Sequence, residues 1–126
     1  MKFKPIRISS RSGALLGHLK TSTGLTPNIL ARFAICLSIK DKSFPNPDEF
    51  NKEGSEIRPS VLFGEHEPIY LALMLDRLKQ DRLDPAIYLD EMLRSHLNRG
   101  VIALRPRIND LSDFYELVKE EGNAWD

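Results

Sequence analysis

Residues 3–39 read FKPIRISSRSGALLGHLKTSTGLTPNILARFAICLSI, and the order of signals in this stretch decides the fold. Phe3–Ile8 alternates: Phe3, Pro5 and Arg7 fall on one side, Lys4, Ile6 and Ile8 on the other. That pattern predicts a short strand. Pro5 has no N–H to give to a ladder, so the strand is restricted to an edge or a locally unpaired position. Ser9 or Ser10 supplies the N-cap of a helix over 11–21, whose Leu15, Leu16 and Leu19 share one narrow face. Gly24 closes that unit. Thr26-Pro27 opens a second helix over 27–39, with Thr as N-cap and Pro at the first helical position. Strand, helix, Thr-Gly turn and helix is the order of ribbon-helix-helix proteins. In those, strands from two subunits pair antiparallel and enter the DNA major groove.

The second helix is apolar on nearly every side. Ile29, Leu30, Phe33, Cys36 and Leu37 cover one face; Ile35 and Ile39 lie opposite, beside Arg32. Such a helix is buried on more than one side. Ile35 and Ile39 are therefore expected at an oligomer interface. The alternative is burial beneath later helices of the same chain.

Charge divides by position. Residues 1–40 contain seven cations (Lys2, Lys4, Arg7, Arg11, Lys20, Arg32 and Lys40) and no Asp or Glu. The rest of the chain contains the other eleven cations and all eighteen acids, so a net charge of zero hides about +7 and about −7. A one-signed segment makes a local positive field, which suits nucleic-acid phosphate. The bland alternative is a solvated basic terminus. The first turn of the second helix, Thr26 to Asn28, adds free N–H groups that suit a phosphate.

The remaining chain reads as a long ordered loop and three helices. Pro45, Pro47, Gly54, Pro59 and Gly64 punctuate residues 41–66, yet Phe44, Phe50, Val61, Leu62 and Phe63 are too apolar for a flexible linker. Pro68 opens a helix to about Gln80. Asp84-Pro85 opens another to Asn98, with Gly100 suited to the left-handed residue that ends it. Asn109 or Asp110 caps a last helix over 111–121. The expected fold is mainly α, one domain over residues 1–126. It has a ribbon-helix-helix-like start at 1–40, a loop at 41–66 and a helical part at 67–126.

Chemistry is sparse. No glycine-rich phosphate loop is present. His18, His66 and His96 are far apart in sequence. Glu65-His66-Glu67 lacks further metal ligands and reads as a surface helix start. His96 shares an apolar face with Leu89, Met92 and Leu93 and reads as a buried, hydrogen-bonded histidine rather than a base. Cys36, the sole cysteine, excludes an intrachain disulfide and reads as an inert core thiol. Nothing assembles a nucleophile, a base and an orienting group, so no catalytic residue, metal or cofactor is expected. No apolar run approaches membrane-spanning length, and no secretory signal is evident. The expected setting is the cytoplasm.

Residues 19–32, LKTSTGLTPNILAR, together with Leu62-Phe63-Gly64-Glu65, the Asp84-Pro85 helix start and His96-Leu97-Asn98-Arg99-Gly100, resemble the DndE family. That family is the small component of bacterial DNA phosphorothioation systems. The resemblance implies a non-catalytic DNA-binding subunit and a homo-oligomer, a tetramer. It also implies partners: a cysteine desulfurase, an iron–sulfur protein and an ATPase-like protein. The expected function is contact with the backbone of double-stranded DNA, intact or nicked. Lys2, Lys4, Arg7, Arg11, Lys20, Thr26, Asn28 and Lys40 would make that contact, and sulfur insertion would be left to partners. Two rivals compete: a ribbon-helix-helix repressor of the antitoxin type, and a protein–protein adaptor without DNA binding that uses the acidic C-terminal two-thirds, whose last helix has a strongly acidic side.

Overall fold

A computed structural model describes residues 1–123. The order of elements is β1 (Ile6–Arg7), α1 (Ser10–Thr23), α2 (Pro27–Lys40), β2 (Glu56–Ile57), α3 (Pro59–Phe63), α4 (Glu67–Gln80), α5 (Pro85–Leu104) and α6 (Leu111–Asn123). Short 3-10 turns at Pro47–Glu49, Gly64–His66 and Arg105–Arg107 join them. The mainly helical reading holds, with a short strand and two helices at the start.

The caps form largely where the sequence places them. Ser9 Oγ accepts from the Ser12 N–H at 3.0 Å, and Gly24 ends α1 at φ 76°. Asp84 Oδ1 accepts from the Ala86 N–H at 2.9 Å and starts α5. Thr26 stands at the N-cap of α2, but its hydroxyl donates to Asn28 Oδ1 instead of accepting from the first turn.

The strand finds its partner inside the chain. β1 pairs antiparallel with β2, Ile6 opposite Ile57 and Arg7 opposite Glu56. The pairing continues beyond the strand: Ile8 N donates to Ser55 O at 3.2 Å and Gly54 N to Ile8 O at 2.8 Å. The ribbon expected between two subunits is thus built by one. Phe3, Ile6 and Ile8 all turn into the core, so simple alternation fails at Pro5.

The centre of the molecule is the α2–α5 pair. α2 buries Leu30, Ala31, Ala34, Ile35 and Ser38; α5 buries Leu93, Leu97, Val101 and Leu104. The face read as the main one, with Phe33, Cys36 and Leu37, is only half-buried. Small residues explain the difference, because Ala31, Ala34 and Ser38 let α5 approach closely. Ile35 is completely buried within its own chain, so its apolar character needs no second subunit. Ile39 is half-buried against the same core.

Gly100 corrects a second expectation. It does not end α5, which continues one more turn to bury Val101 and Leu104. A Cβ on Gly100 would lie 1.9 Å from the Ala34 carbonyl oxygen. The glycine is there so that the two backbones can touch.

Two arginines close the C-terminus of α2, where carbonyls lack helical partners. Arg77 Nη1 donates to Ile39 O and Asp41 O, each at 2.7 Å, and its Nη2 donates to Ser43 O at 2.8 Å. Arg99 Nη2 donates to Ser38 O at 2.7 Å, and its Nη1 donates to Ser43 O at 2.8 Å. Arg77 also pairs with Asp81 at 2.8 Å. A lysine cannot reproduce this fork. Arg77→Lys is expected to cost about 2 kcal/mol in urea unfolding, the scale of one or two lost charge-assisted bonds. An unchanged midpoint would show that the carbonyls find water instead.

Candidate nucleic-acid interface

The acid-free N-terminal segment keeps most of its cations in solvent. Lys2, Lys4, Arg7, Arg11 and Lys20 are exposed along β1 and α1. Three anchors fix the segment that carries them. The Lys4 N–H donates to Asp90 Oδ1 at 2.8 Å, and the Ser9 N–H donates to Asn98 Oδ1 at 3.0 Å. Asn51 accepts from the Ser10 N–H and donates to the Ser10 hydroxyl, both at 3.0 Å. Arg7 Nη1 donates to Gly54 O at 3.0 Å, which steers that side chain over β2.

Other expected contacts are placed differently. Thr26 is exposed and Asn28 half-buried at the start of α2, away from the β1 cations in sequence but on the same acid-free segment. Lys40 pairs with Glu121 of α6, and Arg107 pairs with Glu120 at 3.4 Å. The acidic last helix therefore neutralises Lys40, a cation expected to meet DNA. Arg32 is half-buried and its Nε donates to Leu62 O at 2.5 Å.

The loop adds cations that sequence order hid. Lys52 lies beside Arg7 in one crevice, together with Arg94 of α5. Arg58 borders another crevice with Asn28 at the start of α2. Only the fold-back of β2 onto β1 brings the loop to this surface.

Two titratable side chains that the sequence singles out, Cys36 and His96, are tied into the structure. Burial raises the Cys36 thiol pKa, and its sulfur lies 3.9 Å from the Tyr70 hydroxyl, which is itself pushed up to about 12 mainly by burial. His66 and Glu65 are exposed, 3.9 Å apart. His96 is fully buried, with Nδ1 2.9 Å from Ser38 Oγ. Among the described residues, no group of three or more His, Cys, Asp or Glu could hold a metal ion. No helix among them is long and apolar enough to cross a membrane.

Fold and surface together define a small α-helical protein: a central helix pair, clipped by a two-strand ribbon that carries a cationic N-terminal surface. The chain belongs to the DndE family, whose model, described as DNA sulphur modification protein DndE, matches residues 5–112. The crystal structure of DndE from Escherichia coli B7A, involved in DNA phosphorothioation modification, is similar at 25% identity and TM-score 0.66. The match covers 83% of this chain and 100% of that one. A mutant DndE structure is similar in fold at 23% identity and TM-score 0.66, with the same coverage. Among curated protein sequences none matches the chain.

Proposed function

We propose that this protein is the DNA-contacting, non-catalytic subunit of a phosphorothioation system. It holds the duplex, intact or nicked, by its backbone phosphates. Partner proteins (a cysteine desulfurase, an iron–sulfur protein and an ATPase-like protein) carry out sulfur insertion in the cytoplasm. The observation that supports this most is the exposure of Lys2, Lys4, Arg7, Arg11 and Lys20 on one acid-free segment. Such a surface binds phosphate and reads little sequence. The repressor reading loses its main support, because β1 is already paired within the chain. Assembly into a homo-oligomer, a tetramer, would use apolar side chains that the single chain leaves exposed, among them Ile69 and Leu73 of α4 and Ile87 of α5.

The test is a binding titration with intact, nicked and single-stranded DNA over a salt series. Affinity is expected to fall steeply with salt as counterions are released. Lys2→Ala, Lys4→Ala, Arg7→Ala and Arg11→Ala combined should lower both affinity and salt slope with the helical circular dichroism unchanged. Equal affinity of wild type and the quadruple variant at low salt would remove the reading.

A further inference from the structure

The last helix is held to the core by charge more than by packing. α6 carries four acids (Asp113, Glu116, Glu120 and Glu121) and one cation, Lys119. Among its described side chains Leu117 alone is buried. Phe114 is half-buried, edge-on to Phe33 of α2 with ring centroids 5.2 Å apart. Leu111, Tyr115 and Val118 are exposed. A crevice of about 240 Å³ remains between the two helices, with Phe33, Cys36, Leu37 and Lys40 on one side and Val118 and Glu121 on the other.

Carboxylates complete the hold. Glu121 pairs with Lys40 at the end of α2 and lies 3.9 Å from Arg107, and Glu120 lies 3.4 Å from Arg107. Each of these four side chains is at least 22% exposed. Ion pairs that water reaches are weak and are screened by salt. The family match ends at residue 112, so nearly all of α6 lies beyond it. A carboxylate on Lys40 or Arg107 occupies the cation as a phosphate would. We infer that α6 is an autoinhibitory arm: Glu120 and Glu121 hold Arg107 and Lys40 in the free protein, and the DNA backbone displaces the arm to engage them. Duplex DNA carries one negative charge per about 1.7 Å of axis, a denser field than two carboxylates present. Displacement uncovers Cys36 and Leu37. The inference rests on the DNA-binding reading and adds a step to it.

Cys36, the sole cysteine, reports on the arm because it lines the crevice that α6 covers. A short duplex should raise the rate at which an aromatic disulfide reagent labels Cys36 in the full chain several-fold. Glu121→Gln and Glu116→Gln each remove one negative charge from α6, but Glu116 is exposed and outside these ion pairs. Glu121→Gln should speed labelling without DNA, tighten duplex binding and raise its salt slope by about one. Glu116→Gln should leave labelling and slope as they are, with helical circular dichroism unchanged in both variants. Lys40→Gln should weaken binding more in the Glu121→Gln background than in wild type, where its loss also loosens the arm. A bound duplex that leaves Cys36 labelling unchanged, or Glu121→Gln binding no tighter than Glu116→Gln, would overturn the arm and leave the DNA reading standing. A duplex that binds neither wild type nor Glu121→Gln at low salt would overturn both.

Discussion

Gly100→Ala is expected to unfold the protein or bring it close to unfolding. The added methyl would lie 1.9 Å from Ala34 O and 2.5 Å from Ala34 C. Both atoms are backbone, so no side chain can swing aside. α2 and α5 would have to separate along the contact that organises the whole core. Overpacking a well-packed site costs about 1–3 kcal/mol, and a clash with helix backbone belongs at or above the top of that range. Since a small domain has roughly 5–15 kcal/mol to lose, a cost above about 3 kcal/mol is severe. Gly17→Ala is the control. Its Cβ would meet nothing within 4 Å. It lies inside α1, where alanine should add about 0.5–1 kcal/mol of stability. Urea unfolding of the two variants should therefore move in opposite directions. A Gly100→Ala protein as stable as wild type would mean that the helices part at little cost and that the close crossing is incidental.

That glycine also marks the limit of what the sequence discloses. Caps are local chemistry, so Ser9, Gly24 and Asp84 could be read from their neighbours alone. A glycine near a helix end looks the same whether it stops the helix or admits another backbone. The difference lies in Ala34, on a distant segment. The burial of α2 departs from its pattern of large side chains for a related reason. Large side chains draw attention to Phe33 and Leu37, but the closest approach runs over Ala31, Ala34 and Ser38. β2 escaped notice because two residues carry no alternation to detect; it exists because the Gly54–Ser55 backbone meets Ile8. The basic segment was legible as charge. Its surroundings were not. Glu121 reaches Lys40 from the other end of the chain, and Lys52 joins Arg7 only after the loop folds back. Long-range placement, rather than residue type, separates the cations that face solvent from those that are spent on structure.

Acidification is expected to weaken the fold steeply through His96. Burial chiefly, and then the positive charges of Arg77 and Arg99, push this histidine down to about 3 from 6.5, with Asp41 pulling weakly the other way. The hydrogen bonds agree with a neutral ring. Ser38 Oγ accepts from Arg99 Nε at 2.8 Å, which leaves its own proton to donate to His96 Nδ1. A protonated Nδ1 would break that relay and place a cation between two arginines. In the unfolded chain the ring takes a proton near 6.5; in the folded chain it refuses one until about 3. The unfolded state therefore binds more protons throughout this window. The contribution is fully present above pH 6.5 and is lost as pH falls towards 3, at about 1.4 kcal/mol per unit and on the order of 4–5 kcal/mol in all. His96→Gln isolates it, since every other titrating group is common to both proteins. Wild type should be the more stable at pH 7, where glutamine fits the site less well. Its advantage should shrink by about 1.4 kcal/mol for each pH unit below 6 and then reverse. Parallel stability curves from pH 7 to pH 4 would show that His96 takes its proton in the folded protein. A ring protonated that readily would also be basic enough for proton transfer, and the purely structural role assigned to His96 would have to be given up.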